Sequence, residues 1–419
     1  MNFPIYMDNN ATTPVDSRVL ERMLPFFSEQ FGNAASKAHR YGWVAAEAVR
    51  NARCQVARLI NATISGDPDE PQAKEIIWTS GATEADNLAI KGVAEACAYK
   101  GNHIITCQTE HKAVLDTCKA LEGRGIRVTY LPVDRFGMLD LDDLRKAIGP
   151  DTILISIMAA NNETGVIHPI RQIGRIAREA GVPFHCDATQ AFGKIPLDVE
   201  EMQIDLMSAS AHKIYGPKGV GVLYVRRRHP KLKRIKVAAQ VHGGGHERRM
   251  RSGTINVPGV VGFGAAAELS GKLMTEDAAR LTELRDRLFN GLRDRLPDVF
   301  LNGHPTERMP NTANISFAYV EGEGLMTRLM DDLCASSGSA CTSESLQPSH
   351  VLAAMNVTDE LSHTAIRFSM GRFNTPQEVD YLLERVPEEV RFLRDMSPLY
   401  DMAKEGLDLS AVDWGKHEH

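Results

Sequence analysis

The first candidate for chemistry is Lys213, which lies in the segment SASAHKIYGPKG. Small and apolar residues precede this lysine, and a Gly-Pro turn follows it. A lysine removed from water has a lowered pKa, and its neutral amine can then act as a nucleophile or a base. Most lysines are solvated surface residues, but SASAH is too small and apolar for a typical exposed face. The segment therefore predicts a reactive amine.

A carboxylate ends the apolar run in FHCDATQ, where Asp187 is followed three residues later by Gln190. In a sheet of this kind, ligands bind beyond the carboxyl ends of the strands, so Asp187 could contact one. The same residue could equally cap the next turn. Taken alone, this motif does not decide between a ligand contact and a cap.

Two glycine-containing segments carry hydroxyl residues that could hold an anion. TSGATEADN opens a helix near Thr83, and the N–H groups and dipole of a helix N-terminus favour a phosphate. On this motif alone, a helix cap with a Thr-x-x-Asp arrangement is the favoured interpretation. HGGGHERRMRSGT combines Gly243 to Gly245, where backbone could approach a ligand closely, with the hydroxyl of Thr254.

Together these motifs predict a pyridoxal phosphate site. Lys213 would form the Schiff base, and Asp187 would hold the pyridine nitrogen protonated so that the ring withdraws electrons. His111, in TEHKAVLDT, would stack its flat ring on the cofactor, or else it simply starts a helix. The phosphate cradle would consist of Thr83, Ser210, His212 and Thr254.

Cys341 has the context of a working thiol. It lies in SSGSACTSES, whose small polar residues predict a flexible, water-accessible loop. The seven cysteines are irregularly spaced without a CxxC pair, which argues against a disulfide framework or structural zinc and for a reducing compartment. Cys334 could be either buried or reactive, and inert burial is predicted for Cys54, Cys97, Cys107, Cys118 and Cys186.

Length and composition limit the class of protein. A chain of 419 residues exceeds the usual size of one hydrophobic core, so two domains are expected. Hydrophobic content of 43% is typical of soluble globular proteins, and the net charge of -6 argues weakly against a nucleic-acid binder. No apolar run reaches membrane-spanning length, and the N-terminus resembles neither a signal nor a transit peptide. We expect a cytoplasmic protein, or a mitochondrial matrix protein if a presequence has been removed.

Strand-like and helical segments alternate from about residue 74 to residue 225. EIIW, HIITC, RVTYLPV, TILISIMA and VPFHCDA are typical of strands, and EADNLAIKGVAEACAY and RQIGRIAREAG of amphipathic helices. This pattern predicts an α/β fold with a mostly parallel sheet between helical layers. GFGAAAELS should begin a long helical region that links two domains. A further helix around Arg280 to Leu296 should then belong to a smaller α+β domain, which includes the N-terminal segment. We predict a large cofactor-binding domain at 17–262, and a small domain at 1–16 and 263–419 with the cysteine loop (about 334–347) and a C-terminal tail.

Several segments, in their order along the chain, carry a family resemblance: TSGATEADNLAIKG, TEHKAVLDTC, ANNETGV, DATQ, SAHKIYGPKGVG, GGGHERRMRSGT and SSGSACTSESLQPSHVL. Together they resemble a pyridoxal phosphate-dependent cysteine desulfurase of the class V aminotransferase family. The resemblance covers almost the whole chain. Within the family, the chain is most similar to the housekeeping cysteine desulfurases of iron–sulfur cluster assembly, and the nitrogen-fixation type is a close relative. Two departures are an acidic insertion near Ser65 to Lys74 and Arg249, which stands where a glycine is expected.

The resemblance implies fold-type I with a mostly parallel seven-stranded sheet, a homodimer, and conversion of L-cysteine to L-alanine with transfer of sulfur. Lys213 would act as base for the α-proton, His111 would shuttle a proton, and Cys341 would carry the sulfur as a persulfide. Arg367 and Asn162 would bind the substrate. The residues implied to bind the cofactor are Ala82, Thr83, His111, Asn162, Asp187, Gln190, Ser210, His212, Lys213 and, from the neighbouring subunit, Thr254.

Two rival interpretations remain open: another fold-type I enzyme such as an aminotransferase or selenocysteine lyase, and a non-catalytic persulfide carrier. The expected partners are an iron–sulfur scaffold protein and other sulfur acceptors. The tail SPLYDMAKEGLDLSAVDW could dock a scaffold or simply pack on the small domain, and the basic run Arg226 to Lys236 more often marks a solvated edge. Neither direct nucleic-acid binding nor a metal site is expected, apart from transient iron–sulfur ligation by Cys341.

Overall fold

A seven-stranded sheet forms the centre of the protein. The computed structural model describes residues 2–67, 71–232, 234–337 and 348–405. The sheet's strands are β2 (Ile76–Thr79), β3 (His103–Cys107), β4 (Arg127–Leu131), β5 (Thr152–Ser156), β6 (Phe184–Asp187), β7 (Leu206–Ser210) and β8 (Gly221–Val225). Their spatial order is β2-β8-β7-β6-β5-β3-β4, and β8 alone among them runs antiparallel to its neighbours. The predicted α/β class with a mostly parallel sheet is confirmed.

Helices cover both faces of this sheet. They are α3 (Arg40–Leu59), α4 (Ala82–Ala96), α5 (Lys112–Glu122), α6 (Leu141–Ala147) and α7 (Ile170–Ala180), preceded by α1 (Ser17–Met23) and α2 (Pro25–Ser28). Successive side chains of a strand point to opposite faces, so Ile76 and Trp78 join one core while Ile77 joins the other. Burial on both faces explains why most of these strands are nearly continuous apolar runs.

A second, antiparallel sheet has the order β12-β13-β10-β9. Its strands are β9 (Val299–Asn302), β10 (Thr312–Phe317), β12 (Ser336–Ser337) and β13 (Ala365–Ser369), and nearby β1 (Ile5–Tyr6) pairs with β11 (Leu333–Cys334). The helices of this part are α9 (Gly322–Arg328), α10 (His350–Ala354), α11 (Asp359–His363), α12 (Pro376–Asp395) and α13 (Pro398–Lys404). Their separate core includes Leu288, Phe317, Phe368 and Val386 together with Ile5 of the N-terminal segment.

One long helix, α8 (Val257–Arg295), connects the two parts. Its first half packs in the core of the large sheet through Phe263 and Ala267, and its second half packs in the other core through Leu281 and Leu288. The sequence predicted a separate helix near Arg280 to Leu296, but the two helical stretches are continuous. The boundary between 262 and 263 stays a prediction, and it falls inside this helix.

The departure at Arg249 coincides with an unusual backbone conformation. Glu247, Arg248 and Arg249 all have positive φ, at 42°, 57° and 67°, which explains why a glycine is expected there. The Glu247 carboxylate accepts hydrogen bonds from Arg53 at 2.7 and 2.8 Å and from the Trp78 backbone N–H at 2.8 Å. These buried charge-assisted contacts hold the turn in a conformation that an arginine rarely adopts.

The loops after β2, β3, β5, β6 and β7 leave the same edge of the large sheet, because these strands run in one direction. The short turns and helix starts that follow them carry Ala82, His111, Asn162, Asp187 and Lys213. Topology therefore collects these side chains at one edge. In the described ranges, none of the helices combines the length and apolar character that a membrane crossing requires.

Candidate active site

A cavity of about 820 Å³ lies at this edge, between the large sheet, the second sheet and the N-terminal segment. Its volume suits a small cofactor together with a substrate. The sequence-predicted residues that line it are Ala82, Thr83, His111, Asn162, Asp187, Gln190, Ser210, His212, Lys213 and Arg367. Thr254 is exposed and does not line it, and Cys341 lies outside the described residues. Among the residues described, no cluster of three or more His, Cys, Asp or Glu side chains could hold a metal ion.

The N-terminus of α4 forms one wall of the cavity. Its N-cap is Gly81, without a side-chain cap, so the interpretation of Thr83 as the N-cap of a capping box was wrong. A Cβ added to Gly81 would meet no atom within 4 Å, which leaves open space beside the helix N–H groups. A Cβ on Gly221 would approach the Gly81 carbonyl carbon to 2.5 Å, so glycine there lets β8 approach the turn. The wall has the shape and polarity of a phosphate cradle.

Lys213 ends a short 3₁₀ turn, Ala211–Lys213, directly after β7. Its Nζ donates to the backbone carbonyl of Asn10 at 2.6 Å and to that of Ala11 at 2.7 Å. The lysine is partly buried and faces the cavity. The N-terminal segment therefore holds the amine in place, although it precedes the lysine by about 200 residues in sequence.

Asp187 ends β6 with only 4% of its surface exposed, and its Oδ1 accepts from the Thr189 N–H at 2.9 Å. Two other buried carboxyl groups, Asp86 and Glu110, lie nearby. Burial, reinforced by the charge of Asp187, raises the pKa of Asp86 well above its ordinary value. Burial likewise raises the pKa of Glu110, although its Oε1 accepts from the Met158 N–H at 2.7 Å. A raised pKa favours the protonated form of these two groups, which weakens their repulsion of the Asp187 carboxylate.

Two histidines face the cavity in neutral form. His111 is the N-cap of α5, where its Nδ1 accepts from the Ala113 N–H at 3.1 Å, and burial lowers its pKa. Because Nδ1 is an acceptor, the neutral ring carries its proton on Nε2. Burial and then Lys213 lower the pKa of His212 to about 4, and its Nδ1 lies 3.1 Å from the Thr12 hydroxyl. His111 thus serves as a helix start and a cavity wall at once.

Arg367 is a buried guanidinium on β13. Its Nη1 donates to the Asn162 carbonyl at 3.0 Å, and its Nη2 donates to Asp8 Oδ1 at 2.5 Å and to Ser336 Oγ at 3.0 Å. Its Nε has no hydrogen-bond partner among the described residues. A buried donor left without a partner is costly, so this atom marks a place for an acceptor on a ligand.

Both ends of the segment that contains Cys341 are attached at this site. On one side, Ala335 and Ser336 line the cavity, and the Ser336 hydroxyl donates to Asp8 Oδ1 at 2.9 Å. On the other side, the Ser349 hydroxyl donates to Glu163 Oε2 at 2.5 Å, and His350 Nε2 lies 3.0 Å from the Glu110 carbonyl oxygen. The described residues on either side of this segment therefore lie next to the cavity.

The remaining cysteines agree with the sequence prediction. Five of them, Cys54, Cys97, Cys107, Cys118 and Cys186, are buried, and Cys334 is half-buried. Burial raises the pKa of the Cys107 thiol to about 11 and that of Cys118 to about 12. Such thiols remain protonated and unreactive at neutral pH.

Sequence reasoning missed two residues of the site, Asp8 and Asn10. Asp8 pairs with Arg367, and the Asn10 carbonyl accepts from Lys213. The available signal was the polar run DNN directly after the apolar IYM, which places hydrogen-bonding groups at the end of a short strand.

The chain belongs to the aminotransferase class-V family, whose model matches residues 5–382. It is 58% identical over 414 residues to the cysteine desulfurase IscS of Anaeromyxobacter dehalogenans (strain 2CP-C), with 99% of each chain covered. The cysteine desulfurase IscS of Pectobacterium carotovorum subsp. carotovorum (strain PC1) is 54% identical over 419 residues, with 100% of each chain covered.

Two solved structures are similar over most of the chain. A NifS-like protein has a TM-score of 0.84 at 39% identity, covering 93% of this chain and 100% of that one. A structure of SspA in complex with cysteine has a TM-score of 0.75 at 36% identity, covering 88% and 99%. The resemblance to the housekeeping cysteine desulfurases and the fold-type I architecture are therefore confirmed.

Proposed function

We propose that this chain is a pyridoxal phosphate-dependent cysteine desulfurase, which takes sulfur from L-cysteine, releases L-alanine and passes the sulfur to acceptors. The observation that carries the proposal is the single cavity in which Lys213, Asp187 and the α4 N-terminus face Arg367. The full-length relatives named cysteine desulfurase IscS support it.

The residues of the cavity fit the cofactor. The phosphate would lie at the N-terminus of α4, against Ala82, Thr83, Ser210 and His212, where the space beside Gly81 is open. Asp187 would hold the ring nitrogen, His111 would cover the ring face, and Gln190 would contact the phenolic oxygen. When bound in the cavity, pyridoxal phosphate would withdraw electrons from the α-carbon of a substrate attached to it.

Lys213 is proposed to be the base of the reaction. With cofactor and substrate bound, its Nζ would be placed to accept the α-proton. The Asn10 and Ala11 carbonyls, at 2.6 and 2.7 Å, orient that nitrogen at the cavity wall. His111, with a proton on Nε2, would be the second group able to move a proton.

Arg367 and Asn162 are proposed to bind the substrate carboxylate. The planar guanidinium has an unpaired Nε, and its Nη atoms are held by Asp8, Ser336 and the Asn162 backbone. Such tethering fixes the fork in one orientation before a substrate arrives, which lowers the entropic cost of binding. Ser336 belongs to β12, which directly precedes the segment that contains Cys341. The arginine that would bind the substrate therefore also contacts the start of that segment.

Cys341 is proposed to be the sulfur acceptor. Its thiolate would attack the substrate sulfur, so that an S–S bond forms as the Cβ–S bond breaks and its electron pair passes to the carbon fragment, which is protonated to alanine. Ser337 precedes Cys341 by four residues, and an extended chain of that length spans roughly 14 Å. We expect a tether of this length to let the thiol visit both the cavity and an acceptor protein.

A homodimer is also proposed. Several large apolar side chains in the region from α1 to α3 have 52–63% of their surfaces exposed: Leu24, Phe27, Phe31, Tyr41 and Trp43. The rings of Phe31 and Tyr41 contact each other, with centroids 5.1 Å apart, and exposed apolar clusters are typical of protein interfaces. Thr254 is exposed and lies three residues before α8, and α8 packs against α1. In the proposed dimer, the Thr254 hydroxyl would then face the cavity of the second subunit.

We further propose an iron–sulfur scaffold protein and other sulfur acceptors as partners, and a cytoplasmic location in a bacterium. The bacterial relatives named IscS support both statements. The first part of the tail that could dock a scaffold, Ser397 to Glu405, includes α13, and the rest of it lies outside the described residues.

The decisive experiment compares wild type with Cys341→Ser, with Cys334→Ser as a matched control for loss of a neighbouring thiol. The visible spectrum is recorded with and without L-cysteine, and alanine and sulfide are then assayed. We expect Cys341→Ser to keep the cofactor spectrum and bind cysteine but form neither alanine nor persulfide, while Cys334→Ser stays active. Alanine formation by Cys341→Ser would replace this mechanism with one of the selenocysteine lyase type, and a colourless wild-type protein would favour a non-catalytic carrier.

A further inference from the structure

The carboxamide of Gln190 has its two ends held by different partners. Its Nε2 donates to the Asn10 carbonyl at 2.9 Å, and its Oε1 accepts from Lys194 Nζ at 3.1 Å. A carbonyl can only accept and a lysine ammonium can only donate. A flipped amide would place donor against donor and oxygen against oxygen, so the two contacts together select one orientation.

Of these two contacts, the one from Lys194 does not depend on the reacting lysine. The Asn10 carbonyl also accepts from Lys213 Nζ at 2.6 Å, so its hydrogen bond to Gln190 is shared with a group that moves during turnover. Lys194 contacts Gln190 from the other side and lies four residues further along the chain. The Lys194 contact therefore remains when Lys213 changes its partner.

The surroundings of Lys194 supply no balancing carboxylate. It lies beside a small cavity of about 30 Å³ next to α8, lined also by Asp277 and Arg372. Asp277 pairs with Arg372 at 2.9 Å, and no acidic group among the described residues lies within ion-pair distance of Lys194. Burial, followed by the charges of Lys213 and Arg367, lowers the pKa of Lys194 to about 7.

Lys194 is half-buried, and holding its charged form near Lys213 and Arg367 in this place carries a free-energy cost. Its polar partner in the structure is an amide oxygen of the cavity wall. A bound group with negative charge at the cavity would offset this cost. The arrangement therefore fits a lysine that serves the site rather than the fold.

We propose that Lys194 is a positioning residue, which holds the Gln190 carboxamide so that an Nε2–H faces the cavity, where the phenolic oxygen of the bound cofactor would accept it. This inference rests on the proposed function, because it assumes that pyridoxal phosphate binds there. It assigns to Lys194 an effect on the cofactor that is transmitted through Gln190.

The test uses a double-mutant cycle on the full chain, with Lys194→Met, Lys194→Arg, Gln190→Leu and the double variant Lys194→Met/Gln190→Leu. Pyridoxal phosphate is titrated into each apoprotein, and the pH midpoint of the bound cofactor's visible absorption is recorded. Loss of one hydrogen bond should weaken cofactor binding about three- to tenfold in Lys194→Met. The midpoint should rise by about 0.5–1 pH unit, because the lost N–H stabilised negative charge on the phenolic oxygen.

Lys194→Arg keeps a cationic donor and should restore both values to within about twofold of wild type. In the Gln190→Leu background, Lys194→Met should change neither value further, because the group through which it acts is absent. A midpoint shift that persists in this background would mean that the lysine charge acts directly on the cofactor, and the positioning role would be wrong. Wild-type values in Lys194→Met would overturn it as well.

Thermal unfolding of each apoprotein separates this effect from a loss of fold. If Lys194→Met does not fold, Lys194→Ala, which introduces no new atoms, is measured in its place with the same expected values. A wild-type protein that does not bind pyridoxal phosphate at all would refute the proposed function itself. A wild-type protein that binds it, with Lys194 variants that behave identically, would refute only the role of Lys194.

Discussion

His168 should make the protein less stable at mildly acidic pH. Only 2% of its surface is exposed, and neither ring nitrogen has a hydrogen-bond partner among the described residues. Burial lowers the pKa of His168 to about 4. In the unfolded chain a histidine titrates near 6.5, so between these two values the unfolded state binds more protons than the folded state. Stability contributed by the neutral ring is therefore fully present above pH 6.5 and is lost as the pH falls toward 4.

The size of this loss follows from the two pKa values. At pH 5 the unfolded histidine is almost fully protonated and the folded one is almost fully neutral. This pH lies about 1.5 units below the pKa of the unfolded histidine, and over that range the unfolded state binds up to one proton more than the folded state. At 1.36 kcal/mol for each unit, the free energy of unfolding should fall by about 2 kcal/mol between pH 7 and pH 5 through His168 alone.

The assay is equilibrium urea unfolding of wild type and His168→Leu at pH 7 and at pH 5, with the cofactor content of the samples matched. Leucine has no proton to bind, so the variant should lose about 2 kcal/mol less than wild type between the two pH values. Any packing cost of the substitution cancels, because it is present at both. The exposed His363 provides the control, since His363→Leu should lose as much as wild type. Equal losses in wild type and His168→Leu would show that the reasoning about the buried neutral ring is wrong.

Two further predictions concern substrate binding and assembly. Arg367→Lys should raise KM for L-cysteine about ten- to a hundredfold, because a lysine cannot reproduce the planar fork of the guanidinium. The cofactor spectrum should stay as in wild type. An unchanged KM in steady-state assays would contradict the binding of the substrate carboxylate by Arg367. Phe27→Asp together with Trp43→Asp should produce monomers in sedimentation experiments and weaken cofactor retention, because the apolar face would carry charge and Thr254 would lose its partner cavity. A dimer that persists with both substitutions would place the interface elsewhere.

Several parts of the fold could be predicted because the signal lies within a few neighbouring residues. HIITC coincides with β3, and the apolar runs around β5 and β6 follow from strands buried on both faces. The helix start at TSGATEADN was also correct, but its cap was not. Gly81 leaves the N–H groups open, and a side-chain cap at Thr83 is absent from the structure.

Other features had no local signal. The helix α8 was predicted as two pieces, because its apolar pattern changes where it passes from one core to the other. The pairing of Asp8 with Arg367 joins positions separated by 359 residues, and Lys213 is held by backbone carbonyls of the N-terminal segment. Backbone groups are the same at every residue, so no sequence pattern identifies a carbonyl that will hold a catalytic amine.

The sequence by itself determined which chemical groups are proposed for the reaction: an amine at Lys213, a carboxylate at Asp187 and a thiol at Cys341, each in a recognisable local setting. The tertiary structure decided how these groups are oriented. Gln190 and Lys194 are only four residues apart, yet their spacing alone does not tell which end of the amide faces the lysine. That orientation depends on the Asn10 carbonyl, which comes from a distant segment, and hydrogen-bond direction is a property of the assembled site.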